Sequence, residues 1–173
     1  MLEPHLLIFG GLPGSGKTSL ASALARSLPA LLLRIDTIEQ ALTASVLGRP
    51  DLEDSGYRVA YAQAEEALGL GQSVIADSVN PIAITRKAWL GVAERAGGAA
   101  SQIEIFCSDR AEHRRRVERR FRQAGGKGVP DWPAVESRHY EPWQNVDLRL
   151  DTAGRSLEQS LTELRAALAV LLP

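Results

Sequence analysis

Gly11-Leu12-Pro13-Gly14-Ser15-Gly16-Lys17-Thr18 satisfies the pattern G-x-x-x-x-G-K-[ST] at every fixed position. The physical demand behind this pattern is narrow. The backbone must turn so tightly that several N–H groups converge on one phosphate chain, and glycine tolerates the φ/ψ values involved. Lys17 offers a compact positive charge for the β/γ-phosphates, and Thr18 offers a hydroxyl ligand for Mg²⁺. Gly11, Pro13, Gly14, Ser15, Gly16, Lys17, Thr18 and Ser19 are therefore the expected phosphate-binding set. A helix that starts there adds its free N–H groups and its dipole.

The flanks have the order this mechanism needs. Leu6-Leu7-Ile8-Phe9 reads as a buried strand feeding the loop, and Leu20, Leu24 and Leu28 repeat at helical spacing before Pro29. Lys17 is one of three lysines, against seventeen arginines, and in an empty loop it is expected to face solvent or ligand.

Further along, apolar runs alternate with helical patterns. Strands are predicted over residues 31–35, 73–77, 103–107 and 146–150, and helices over 37–47, 55–68, 81–96, 109–124, 133–140 and 157–168. Gly48 and Pro50 close the first of these later helices, and Ser108 or Asp109 caps the arginine-rich one. Five strands alternating with helices predict an α/β, three-layer sandwich around a parallel sheet, in one domain over residues 1–173. Ligands on such sheets bind at the carboxyl ends of the strands.

Composition narrows the function classes. A net charge of −1 gives no general attraction to nucleic acid or anionic membrane. The single cysteine, Cys107, excludes an internal disulfide and suits a reducing compartment. No apolar run approaches a membrane span, and the first one enters the phosphate loop, so it is not a leader. A cytoplasmic protein is expected.

Two acids fall at strand ends beside the loop. Asp77 could hold Mg²⁺ and contact substrate, or Asp77 or Ser78 could cap the helix opened by Pro81; Asn80 lies in the same loop. Asp36 could be the base that takes a hydroxyl proton. Its spacing to Glu39 also matches a capping box, which would explain it without catalysis. Six arginines lie among residues 114–122, more than Glu112 and Glu118 balance at i,i+4. They suggest a lid over residues 110–130 that closes on phosphates, with Arg116 and Arg120 as the leading pair; a solvated helix face is the alternative. Arg138 is a further candidate contact to substrate.

Together these features resemble a P-loop kinase of the nucleotide-kinase-like group. Val74-Ile75-Ala76-Asp77-Ser78-Val79-Asn80-Pro81 through Arg86 and Ala88-Trp89 is similar to the segment after the third strand of phage-type polynucleotide 5′-kinases. Asp36-Thr37-Ile38-Glu39-Gln40-Ala41, and Val146 through Ser156, resemble segments of chloramphenicol phosphotransferase. The resemblance implies strand order 2-3-1-4-5, Asp36 as base, an arginine lid, and an adenine pocket near Thr152 and Gly154. ATP and Mg²⁺ are the implied cofactors, and a hydroxyl of a small molecule (antibiotic, nucleoside or sugar acid) the implied acceptor. Polynucleotide kinases carry an Asp pair followed by an arginine; here Ile35 or Thr37 stands in that pair and no arginine follows before Arg49. A 5′-hydroxyl polynucleotide kinase and an NTP-binding regulatory or toxin-like module are the alternatives.

Overall fold

The computed structural model describes residues 3–44 and 54–171. Its elements run β1 (His5–Gly10), α1 (Lys17–Ala25), β2 (Ala30–Arg34), α2 (Ile35–Thr43), α3 (Ser55–Gly69), β3 (Ser73–Asp77), α4 (Ala83–Ala96), β4 (Ala99–Phe106), α5 (Arg110–Gln123), α6 (Trp132–Glu136), β5 (Leu148–Asp151) and α7 (Leu157–Leu171). The sheet is parallel, in the order β2-β3-β1-β4-β5, as expected.

Each central strand buries both faces, which is why it reads as an unbroken apolar run rather than an alternating one. Leu6 and Ile8 of β1 join a core with Val74, Ala76, Ala64 and Trp89, beneath α3 and α4. Leu7 and Phe9 point the other way, into Ile75, Ile103, Leu24 and Leu164, beneath α1 and α7. The middle-helix tyrosines pack: Tyr61 meets Trp89 edge-on at 4.6 Å.

Several element limits differ from the sequence reading, for local reasons. β4 begins at Ala99, four residues early, because Ala99–Gln102 pair with β1 even though they are weakly apolar. Asp109, rather than Ser108, caps α5, accepting from Glu112 N at 2.9 Å. β5 is Leu148–Asp151, and Asp147 instead accepts from Gln102 N at 2.7 Å. α2 starts at Ile35, so Asp36 lies inside its first turn and no side chain caps that end. The capping box expected of Asp36 and Glu39 is therefore absent. The end expected for this helix at Gly48 and Pro50 lies outside the described residues.

A buried arginine holds the region above the strand tips. Arg86 is 7% exposed, stacks over Trp143 at 5.0 Å, and donates to the carbonyls of Asn80 at 3.3 Å and Glu141 at 3.0 Å. The Trp143 ring in turn lies flush on Gly10, where any Cβ would collide with it. The chain returning from α6 is thereby strapped across the end of β1, next to the phosphate loop.

Candidate functional site

The loop between β1 and α1 has the backbone its glycines foretell. Gly11, Gly14 and Gly16 have φ values of 144°, 85° and 99°, in the region that side chains disfavour. Gly11 N donates to Val79 O at 3.1 Å, tying the loop to the chain after β3. Lys17 opens α1, and its side chain is buried on the walls of the cavities beside it rather than in open solvent. Burial pushes its ammonium pKa down, Asp77 and then Asp36 push it back up, and Arg120 and Arg34 lower it again. Four charged groups thus converge on one lysine.

Two cavities open beside it. The first, of about 450 Å³, is lined by Gly14, Gly16, Lys17, Thr18, Ser19, Arg34 and, on its far wall, Arg116, Arg119, Thr152 and Arg155. The second, of about 510 Å³, is lined by Pro13, Lys17, Asp36, Glu39, Gln40, Thr43, Arg120, Gly128, Pro130 and Arg138. Lys17 and Arg120 are the residues the two linings share. Donor and acceptor of a transferred group could therefore meet at Lys17 and Arg120. Asp36 sits on the second side of that junction, 3.8 Å from Arg120.

The remaining expected residues divide clearly. Asp77 is buried, 3.5 Å from Arg34, and its Oδ1 has no hydrogen-bond partner. A buried carboxylate oxygen without a partner is costly unless a ligand completes it. Asp77 lines neither cavity, but its unpartnered oxygen and the Thr18 hydroxyl on the first cavity's wall are of the chemical type that holds Mg²⁺ through water and phosphate. Neither Asp77 nor Ser78 caps α4, whose first residue follows Ile82 with no side-chain cap bond. Asn80 is fully buried, in a left-handed conformation at φ 49°, and its amide donates to Phe9 O at 2.9 Å. It supports the loop and does not face the second cavity. The Gly154 N–H donates to Glu112 at 2.8 Å, and Gly154 is absent from the first cavity's lining. Gly11 and Ser15 lie beneath the cavity walls, Ser15 with a buried hydroxyl lacking a partner.

Arg116 and Arg120 behave differently. Arg116 donates to Thr152 Oγ1 at 2.7 Å and Thr152 O at 2.8 Å, and pairs with Glu112. Thr152 Oγ1 donates in turn to Ser15 O at 2.8 Å. Arg116 thus fastens the first cavity's wall to the phosphate loop. His113 adds a second anchor: its Nε2 donates to Pro13 O at 2.8 Å, which requires the proton on Nε2. The N-terminal half of α5 is therefore docked, while Arg120 reaches over the junction from its C-terminal half.

Arg34 is a site residue that the sequence reading misses, and Glu39 is one it names only as a capping partner and fallback base. Arg34 ends the strand Leu31-Leu32-Leu33, opposite Asp77 in the β2–β3 register, and a lone charge at the carboxyl end of an apolar strand was the available signal. Glu39 has its carboxyl pKa raised by burial and then by Asp36, with Arg138 opposing. A raised pKa means that the folded state keeps the proton longer than the unfolded chain, so stability declines as pH rises from the unfolded value through the folded one. Glu39→Gln removes that decline. Melting temperatures of the two proteins, compared from about pH 4 to pH 8, should coincide at the acid end and favour the variant at the upper end.

Comparison with known proteins agrees with this geometry. The sequence profile of the AAA domain family matches residues 6–131. The chain belongs to this family of P-loop kinases. A Pseudomonas aeruginosa protein named probable adenylyl-sulfate kinase is 29% identical over 164 residues, covering 90% of this chain and 73% of its own. A Chloroflexus aurantiacus structure that carries a kinase name superposes with TM-score 0.75 at 25% identity, over 98% of both chains. The Mycobacterium tuberculosis APS kinase, solved with AMPPNP and APS, gives TM-score 0.71 at 22% identity, over 98% of this chain and 99% of that one. Among the described residues, no helix is long and apolar enough to cross a membrane.

Proposed function

We propose that this P-loop kinase transfers the γ-phosphate of ATP to a hydroxyl of a small molecule, with ATP in the first cavity and the acceptor in the second. The observation carrying this reading is the junction itself: two cavities meet at Lys17 and Arg120, with Asp36 on the acceptor side. Thr18 and Asp77 would hold Mg²⁺, which when bound offsets phosphate charge. Lys17 neutralises charge on the phosphoryl group in transit, from a site already dry and flanked by fixed charges. Asp36 orients the acceptor hydroxyl and takes its proton as the new P–O bond forms. Arg120, half-exposed, approaches the leaving and entering oxygens from above.

The test is ATP consumption against hydroxylated metabolites, nucleosides and antibiotics, with mass detection of an added phosphate. Small-molecule transfer that is insensitive to salt supports the reading. Transfer restricted to oligonucleotide 5′ ends, with steep salt dependence, would replace it with the polynucleotide alternative. Nucleotide binding without any transfer would favour a regulatory module.

The two arginines should separate in the same assay. Arg120→Ala is expected to lower turnover with little change in melting temperature, because a half-exposed ion pair contributes little to folding. Arg116→Ala should lower both, since it frees Thr152 from the α5 side and leaves Glu112 unpaired. Turnover unaffected by Arg120→Ala would return the second half of α5 to a solvated face.

A further inference from the structure

We propose that the acceptor is a small polyhydroxylated anion, and that Arg138 binds its charge on the wall of the second cavity. This rests on the kinase reading above and narrows its substrate class.

Arg138 is the cation of that cavity left without a task. Lys17 is committed to the phosphate junction, and Arg120 pairs with Asp36. Among the described residues, the Arg138 guanidinium makes no ion pair and no hydrogen bond; Arg26, Arg58, Arg115, Arg119, Arg122 and Arg165 also lack an acidic partner there, but none of them lines the second cavity. Arg138 lines the cavity with Glu39, near enough to act on that carboxyl group. A planar guanidinium on a cavity wall, without a partner, suits bidentate binding of a carboxylate, phosphate or sulfate.

The rest of the lining points to hydroxyls. Asp36, Glu39 and Gln40 of α2 share the cavity lining with Arg138, and offer acceptors and one amide donor. Glu39 is held in place from behind: a Cβ on Gly56 would sit 2.5 Å from its Cγ, so that glycine lets the Glu39 stem pack against α3. Pro13, Ala44, Val79 and Pro130 supply small apolar surfaces, and no aromatic side chain lines the cavity among the described residues. A nucleobase or nitrophenyl ring would lack a stacking face there. A sugar acid or sugar phosphate would meet hydroxyl partners on α2 and a cation on the same cavity's wall.

The test uses the full chain with Mg²⁺ and ATP, and acceptors in matched sets. Glycerate, glycerol phosphate and glycerol form one; gluconate, glucitol phosphate and glucitol another; nucleosides and adenylyl sulfate form the control arm. Carboxylate and phosphate members separate the two anion sources. The expected result is kcat/KM for at least one anion about tenfold or more above its neutral partner. Arg138→Gln should raise KM for that anion about tenfold with little change in kcat, leave the neutral partner unchanged, and be partly rescued by Arg138→Lys. A merely structural role for Arg138 would lower kcat and melting temperature for all acceptors alike. Equal transfer to anionic and neutral partners, or best transfer to a nucleoside or adenylyl sulfate, would overturn the proposal while leaving the kinase reading intact. No transfer to any acceptor, with ATP still bound, would overturn the kinase reading and this proposal with it.

Discussion

Lys17→Met is expected to abolish phosphate transfer while leaving the empty protein at least as stable as the parent. Loss of a charge aimed at the phosphoryl group in a dry site should cost about 10²–10³-fold in kcat. The stability half of this expectation comes from burial. Desolvation is the leading influence on the Lys17 ammonium, and it lowers the pKa in the folded state. A lysine whose folded pKa is depressed imposes its full cost below that pKa, and the cost is relieved as pH rises toward the unfolded value of 10.5. Methionine keeps the stem and removes the charge, so the melting temperature should hold or rise at neutral pH, with the advantage shrinking in alkali. Two assays check this: turnover at saturating ATP, and thermal unfolding across pH. A variant that transfers phosphate at near-normal rate would remove Lys17 from the transfer step. One that unfolds readily would mean that attraction to Asp77 and Asp36 outweighs desolvation.

Asp36→Asn is the second large effect. Asparagine can hold a hydroxyl in place but cannot take its proton, so transfer should fall by about 10²–10⁴-fold with ATP binding retained. The structural cost should be small. Asp36 is in the first turn of α2 and makes no cap bond there, so only its favourable interaction with the helix dipole and its 3.8 Å approach to Arg120 are lost. Each is worth about 0.3–1 kcal/mol at a half-exposed site. Asp36→Ala should match Asn in both readouts. If Ala were less stable than Asn by about 1 kcal/mol, a cap would be present after all. Full turnover in the Asn variant would move the base to Glu39, which shares the cavity wall, or to the acids of residues 51–54, of which residues 51–53 lie outside the described residues.

These two predictions show where sequence was a sufficient guide. The loop is legible because its chemistry is local: glycines at Gly11, Gly14 and Gly16 are needed for φ values that neighbours along the chain impose. The sheet is legible because burial on both faces leaves an unbroken apolar run, as in Leu6–Phe9 and Val74–Ala76. Its order was reached by resemblance rather than by pattern, since strand neighbours are set by packing among distant segments. Asp36 marks the limit of local reading. Its spacing to Glu39 suits a cap, yet helix geometry begins one residue earlier, at Ile35, which is buried against the sheet. Tertiary burial of that isoleucine overrides the local signal.

The amino-acid sequence by itself determined the phosphate loop, the alternating α/β architecture and the concentration of arginine on one helix. Each of these is written in residues within a few turns of one another. Only the tertiary structure decided how the charges are shared out. It buries Lys17 among Asp77, Asp36, Arg34 and Arg120, binds Arg116 to Thr152, buries Asn80, and leaves Arg138 free on a cavity wall among the described residues. The physical reason is that a charge acquires its role from its partners and its burial. Those partners come from segments a hundred residues apart or more, such as His113 with Pro13 and Thr152 with Ser15, brought together only when the sheet closes.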